Sequence, residues 1–398
     1  MEYINARARR LKPSETLAVK AKATELKAKG IPVIDLSTGE PDIDTPEHIK
    51  EGARKALKDG KTKYTDVMGI KELREAIALK LKRENGIEAE VSTVIVTNGG
   101  KQALQSAFEV TLEPGDEVVI PAPYWVSYIP MVEIPGGKPV IARSSPENGF
   151  KLSVKELEAA LTPRTKAVII NSPSNPTGAA YTQAELSAFA DVLARTNAFI
   201  ISDEIYEKVV YGDFKFVSTV QAMPQLKDRI VTINGFSKAY SMTGWRVGYA
   251  TGPKDVIAAM GRLQSQTTSN VCSIAQYAAL AALTGPQDAI PQMVKNFDRR
   301  LNAALGIIEQ TPGLRVMGKP QGAFYLFIRF AELAKNSKSE VVKSSGALVN
   351  FLLERAGVAA VPGEAFGDDQ AFRISVAAAD EQVIGGLEKI RDAVRTLL

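Results

Sequence analysis

Residues 166–203 read KAVIINSPSNPTGAAYTQAELSAFADVLARTNAFIISD, and the order of patterns in that stretch decides the fold. Lys166–Asn171 is a short β-rich run, apolar at four successive positions from Ala167 to Ile170. Thr182-Gln183-Ala184-Glu185 has the form of a capping box. It opens an amphipathic stretch with Leu186, Phe189, Ala190 and Leu193 on one face. Ala198–Asp203 is a second β-rich run. Strands that are apolar at every position, rather than alternately, suit a sheet covered on both faces, as mostly parallel sheets are. Alternation of such strands with helices gives an α/β layered core.

The same alternation extends in both directions. Further strand candidates are Val94–Thr97, Glu117–Pro121, Lys138–Ala142, Arg229–Asn234 and Val247–Thr251, which makes seven, and Ser153-Val154-Lys155-Glu156 is a second capping box. After about residue 285 the pattern changes. A helix over Gln287–Gln310 precedes a Pro312-Gly313 turn. Strands at Ala323–Arg329, Val358–Val361 and Ala371–Val376, a helix near Gly346–Arg355 and a last helix from Asp380 follow, as in an α+β unit. Ile31–Leu36 is a strand candidate that packs with this second unit, and residues 1–30 read as an amphipathic arm. The expected division is 1–45 as arm and part of the small domain, 46–290 as the large domain and 291–398 as the small C-terminal domain. A length of 398 residues favours two units, since single cores stop growing at roughly 250–300 residues.

A net charge of +4 over this length does not argue for nucleic acid. The N-terminus has no apolar core of a signal peptide, and no run approaches a membrane span, so a cytoplasmic protein is expected. The single cysteine, Cys272, reads as a small buried thiol in a reducing compartment. The single histidine, His48, follows Thr45-Pro46, read as N-cap and first helical residue, so it falls in a first turn. With the one histidine placed in a first helical turn, neither a His-based triad nor a His-rich metal site is expected, and no metal is expected.

In open α/β sheets ligands bind beyond the carboxyl ends of the strands. The residues there are Asn98-Gly99-Gly100-Lys101, Asn171 to Gly178, Asp203, and Gly235 to Lys238: an amide, a glycine loop suited to an anion, a carboxylate and a lysine. Such a set can hold a phosphorylated, nitrogen-containing ring. Each residue also has a plainer reading. The glycines form a strand-to-helix turn, Asp203 caps the next helix, and Lys238 is a solvated surface lysine. Together they favour a site, with Lys238 as an amine nucleophile and Arg246, eight residues on, as a phosphate clamp.

The segment Ser237-Lys238-Ala-Tyr-Ser-Met-Thr-Gly-Trp-Arg246-Val-Gly-Tyr resembles the lysine motif of class I aminotransferases dependent on pyridoxal 5'-phosphate (PLP). Asn171-Ser-Pro-Ser-Asn175-Pro-Thr-Gly178, Asp203-Glu-Ile-Tyr206 and Phe372-Arg373-Ile-Ser375 are similar to the family's other motifs, in the family's order. The strings KPSETLAVKAKA, TGEPDIDTPEHI and PAPYWVSY place the resemblance nearest the bacterial aspartate aminotransferases of the Ib branch, some of which also use prephenate. The resemblance implies PLP fold type I: a large domain with a mostly parallel seven-stranded sheet covered by helices, plus a smaller α+β domain. It implies that Lys238 binds PLP and moves a proton at the substrate Cα, that Asp203 pairs with the ring nitrogen, and that Asn175 and Tyr206 bond the phenolic oxygen. Trp125 would stack on the ring. The phosphate would take the N–H groups of Gly99, Gly100 and Lys101, the Ser237 hydroxyl, Arg246, and Tyr64 of the partner subunit, hence a homodimer with shared sites. Arg373 would clamp the substrate α-carboxylate with Asn175 and the N–H of Gly39.

Two departures from the family stand out. Gly235 occupies a position where much of the family has serine, and Gln264–Asn270 lacks the arginine that reads a distal carboxylate in other branches. Lys101, Ser14 and Thr16, with Lys12 for a bulkier dicarboxylate, are the candidates for that task. Lys12 equally suits an exposed arm. The expected activity is amino transfer from L-aspartate to 2-oxoglutarate, with small amino acids and 2-oxo acids as partners and no nucleic acid or membrane. The rivals are an aromatic or alanine-type aminotransferase or a β-lyase on the same fold.

Overall fold

The computed structural model describes every residue except 1, 2, 6, 7, 10 and 12. After β1 (Ile34–Asp35), the strands β2 (Val94–Thr97), β3 (Glu117–Ala122), β4 (Lys138–Arg143), β5 (Thr165–Asn171), β6 (Phe199–Asp203), β7 (Ile230–Gly235) and β8 (Gly248–Thr251) follow in turn. β2 to β8 form one seven-stranded sheet in the order β2-β8-β7-β6-β5-β3-β4. β8 runs against its neighbours β2 and β7, and the other pairings are parallel. Every residue of β2, β7 and β8 is buried, whereas the edge strand β4 is largely not.

The apolar runs divide by pleat. Ile169, Ile201, Val231 and Ile233 face one layer with Leu104, Ala107 and Phe108 of the helix Gly100–Thr111. Val168, Ile170, Ile200 and Ile230 face the other, against Leu186, Phe189, Ala190 and Leu193 of the helix Gln183–Leu193. Both capping boxes form: Ser153 and Thr182 accept from the N–H of Glu156 and Glu185, whose carboxylates reach back to the cap N–H.

The remaining strands are β9 (Arg315–Val316), β10 (Tyr325–Arg329), β11 (Val358–Ala359), β12 (Val361–Pro362) and β13 (Ala371–Ser375). An antiparallel sheet β12-β13-β10-β9 packs with the helices Ala289–Glu309 and Asp380–Arg395 around Phe297, Phe324, Ile374 and Leu387. β1 pairs in parallel with β11, which ties the first ordered strand to this second unit.

Several expectations are corrected. Val358–Val361 is not one strand: it divides at Ala360, β11 joining β1 and β12 joining β13. The candidate Ile31–Leu36 shortens to two residues. Thr45 does not cap the helix Glu47–Lys58; Pro46 stands at that position, and the Thr45 hydroxyl donates to the Ser241 carbonyl and accepts from Trp245 Nε1. Cys272 is exposed, because it precedes the helix Ser273–Thr284 instead of entering it. The arm's helix, Glu15–Ala28, buries only Ala23 fully, with Val19 and Leu26 partly packed, so its apolar face is narrower than expected.

Candidate active site

The parallel strands put their carboxyl ends on one edge, and the chain turns there into polar loops. β2 leads through Asn98 and Gly99 to the helix Gly100–Thr111. Gly99 has φ +82, and a Cβ on it would lie 2.4 Å from Arg246 Nη2, so the guanidinium can lie against this turn only because the residue is glycine. Arg246 itself sits at φ +56, in the left-handed region, within the loop that joins β7 to β8. Its Nη1 donates to the Thr243 carbonyl at 2.9 Å and its Nη2 to the Asn98 carbonyl at 3.4 Å.

Gly235 closes β7 opposite Gly248. A Cβ there would stand 3.0 Å from Gly248 Cα and 3.2 Å from both Ile205 Cδ1 and the Val247 carbonyl. Close strand packing therefore accounts for the glycine where a serine was the family expectation. Three residues on, Lys238 donates to the Gly39 carbonyl at 2.7 Å. Burial, then the nearby Arg373, bring its amine down to about 8, against the opposing pull of Glu40.

Asp203, the last residue of β6, is buried. It accepts from Tyr128 Oη at 2.6 Å and from the Ile205 N–H at 3.3 Å. Burial pushes its carboxyl up, and those two donors and Lys238 oppose the rise. Tyr206, three residues on, shares a hydrogen bond of 2.9 Å with Tyr325 of β10. Arg373 of β13 is buried with its guanidinium carbon 4.4 Å from the Tyr325 ring centre and 4.9 Å from that of Phe366. It donates to Asn175 Oδ1 at 2.8 Å and to the Ser37 carbonyl at 2.7 Å, and its Nε is buried without a partner. No described carboxylate lies within ion-pair reach of it.

These groups meet in one cavity of about 520 Å³, whose wall includes Gly39, Gly100, Trp125, Asn175, Tyr206, Ser237 and Lys238. Ser14 and Thr16 of the arm close one side. Lys101 stands there too, its amine 5.0 Å from the Trp125 ring centre and 3.2 Å from Ser127 Oγ. Gly99 and Tyr64 are the exceptions: neither is on this wall, and Tyr64 is 91% exposed. Lys12 lies outside the described residues. Sequence reasoning missed Tyr128 and Tyr325, since a tyrosine within an apolar run reads as core.

The wall carries four cations, Lys101, Lys238, Arg246 and Arg373, and one carboxylate, Asp203. None of the four is ion-paired to a described residue. Fold and site define an enzyme that handles small polyanions through a lysine amine. The chain belongs to the class I and II aminotransferases, whose family model matches residues 31–389. It is 51% identical to the aspartate/prephenate aminotransferase of Cereibacter sphaeroides and 50% identical to the aspartate aminotransferase of Geobacillus stearothermophilus, with 96% of each chain covered in both cases. Its structure matches that of the aspartate aminotransferase from Rhizobium meliloti with a TM-score of 0.94 at 43% identity, with 100% of both chains covered. The Thermus thermophilus aspartate aminotransferase with maleate gives 0.92 at 42%, covering 99% of this chain and 100% of that one.

The family implies PLP, and the residues present fit it. A buried carboxylate without a paired cation suits a protonated ring nitrogen. A glycine turn under an unpaired guanidinium suits a phosphate. A half-buried lysine lowered to about 8 suits an amine that bonds a carbonyl carbon.

Proposed function

We propose that this chain is a PLP-dependent aspartate aminotransferase that moves the amino group of L-aspartate to 2-oxoglutarate in two half-reactions, and that takes prephenate as a further oxo acid. The observation that carries this reading is the pocket's charge, four unpaired cations around one buried carboxylate. That balance fits a phosphate and two substrate carboxylates together. Relatives named for aspartate and prephenate support the choice of substrates.

When bound, PLP supplies an electron sink for the substrate Cα. The protein's part is to bind, orient and move one proton. Asp203 would pair with the ring nitrogen, and Tyr206 and Asn175 would donate to the phenolic oxygen. Asn175 is suited to this because its Oδ1 is occupied by Arg373, which leaves the amide N–H₂ to donate. Trp125 covers a ring face. The N–H groups of Gly100 and Lys101, with Ser237 and Arg246, would hold the phosphate, while the Gly99 N–H is taken by the Thr97 carbonyl at 2.7 Å.

Arg373 is fixed by Asn175, Ser37 and Tyr325 before substrate arrives, so clamping an α-carboxylate costs little reorganisation. The N–H of Gly39 completes that clamp. Lys101, Ser14 and Thr16, with Lys12, read the distal carboxylate. The Lys238 amine would move one proton between the substrate Cα and the cofactor's C4′, as base and then as acid. An amine near 8 is matched to that task at neutral pH.

The reading extends to a homodimer in which Tyr64 of the partner subunit reaches the phosphate. An aromatic residue 91% exposed on the single chain supports it. It divides the chain into residues 1–45, 46–290 and 291–398, the first joining the third through β1 and β11. It places the protein in the cytoplasm, in keeping with one exposed thiol and no helix among the described residues able to cross a membrane.

The test is an absorbance titration of the purified protein. A yellow band should bleach with L-aspartate and return with 2-oxoglutarate. No band, or aspartate turned over no better than alanine or phenylalanine, overturns the reading.

A further inference from the structure

Tyr128 begins the helix Tyr128–Glu133, just after the loop that carries Trp125. Its ring is buried and stands edge-on to Trp125, with centres 5.4 Å apart and planes at 87°. Its hydroxyl reaches Asp203 Oδ2 at 2.6 Å, while Oδ1 has the longer bond of 3.3 Å from the Ile205 N–H. Asn171 Nδ2 fixes the backbone carbonyl of the same residue at 3.0 Å. The backbone carbonyl of Asp203 is thus tied, and its side chain is held by one short bond and one long one. In a buried place a carboxylate stays charged only if donors replace water, and the donor with the better distance is the Tyr128 hydroxyl.

We propose that Tyr128 is a positioning residue which, by occupying Oδ2, keeps Asp203 charged and turned toward the cavity, and so sets how strongly the protein distinguishes a ring nitrogen from a ring carbon at that end of its cofactor. This rests on the PLP reading above. The rest of the site leaves the task to this one side chain: Tyr206 is bonded to Tyr325, Lys238 to the Gly39 carbonyl, and Arg373 to Asn175 and Ser37. Tyr128→Phe keeps the ring and its edge against Trp125 and removes one oxygen.

The test compares two ligands in each protein: PLP, and its carbon analogue in which CH replaces the ring nitrogen. Apoprotein is titrated with each, and dissociation constants are read from quenching of tryptophan fluorescence. The wild type should bind PLP at least roughly tenfold more tightly than the analogue, since only PLP can pair with Asp203. In Tyr128→Phe that ratio should fall roughly tenfold, chiefly through weaker PLP binding. Tyr128→Met, a second variant without a hydroxyl, should give the same fall and is measured in any case, so failure of one variant to fold does not decide the matter. An unchanged ratio, with both ligands weakened alike, would mean that Tyr128 only packs, and the proposal would be wrong. A wild type that does not discriminate at all would instead sink the pairing of Asp203 with the ring nitrogen, and the proposal with it.

Discussion

Two lysines leave bulk water in this chain, and their surroundings send them to opposite ends. Lys80, on the helix Lys71–Asn85, is only 2% exposed. It is bound by the Glu207 carboxylate and by Asn85 Oδ1 at 2.7 Å, and Asn85 in turn donates to Glu207 Oε2 at 2.6 Å. Lys238 opens onto the cavity and has a carbonyl where Lys80 has a carboxylate. Burial alone therefore does not make a reactive amine. A paired lysine is a fixed cation that holds elements together, and an unpaired one, crowded by Arg373 and Arg246, gives up its proton near neutrality. Two carboxylates adjacent in sequence divide in the same way. Asp203 faces the cavity, and Glu204 turns into the Lys80 cluster, where it accepts from Ser202, Ser218 and the Thr219 N–H.

The contrast breaks first, and most visibly, at the reactive lysine. Lys238→Ala should lower kcat by roughly 10⁴-fold, the upper range for a positioned acid–base group. Its urea midpoint should be equal to or above that of the wild type, because the residue lost is a half-buried cation without a carboxylate. Steady-state rates and urea unfolding of the same preparation check both halves. A large loss of stability would mean that Lys238 is structural after all.

Lys80→Met should do the reverse. It strips Glu207 of its cation in a buried setting and should cost about 3–5 kcal/mol of unfolding free energy, with the folded fraction keeping wild-type kcat. Adding Glu207→Leu should recover most of that loss, since a buried pair replaced by apolar residues is often neutral. If the double variant is as unstable as the single, the pair is not what holds this region.

Glu204 sharpens the comparison through pH. Burial, joined by Glu207, raises its carboxyl to about 7 from an ordinary 4.5. Between those values the folded chain binds a proton that the unfolded chain has released, so this group's contribution to stability falls as pH rises from about 4.5 to 7 and is flat above. Glu204→Gln removes that slope. Relative to wild type, the variant should gain on the order of 2–3 kcal/mol between pH 5 and pH 8, read as the difference of urea midpoints at each pH. A constant difference across that range would show that Glu204 does not titrate there.

Much of this arrangement was legible before the structure. The seven strands of the large sheet begin and end within a residue or so of the apolar runs, because strands covered on both faces are mostly apolar, with small polar residues such as Ser202 and Thr232 as exceptions. For the same reason the polar residues at their exits, Asn171, Asp203 and Lys238, marked the site. What escaped has a physical reason in each case. Tyr128 and Tyr325 do their work with one oxygen at the tip of an otherwise apolar ring, so their pattern is that of core. Lys80 sits in Leu79-Lys80-Leu81-Lys82, where helical spacing alone does not tell the buried lysine from the exposed one. The division of Val358–Val361 between two sheets depends on which partners arrive, and that is set by tertiary packing far along the chain.

The smallest effect in the comparison is also the most specific. Capture of PLP by the apoprotein needs the neutral Lys238 amine, so its rate should rise with pH through about 8 and level off above. After burial, the largest influence lowering this amine is Arg373, and Glu40 is the strongest one raising it. Arg373→Met should therefore move the midpoint upward and Glu40→Gln should move it downward, each by less than burial contributes. Lys80→Met, remote from the cavity, should leave the midpoint where it is. Stopped-flow absorbance across pH 6–10 resolves the three. Opposite displacements from substitutions at two charged neighbours are what an amine governed by its surroundings requires. Identical displacements would return Lys238 to the condition of any other buried lysine.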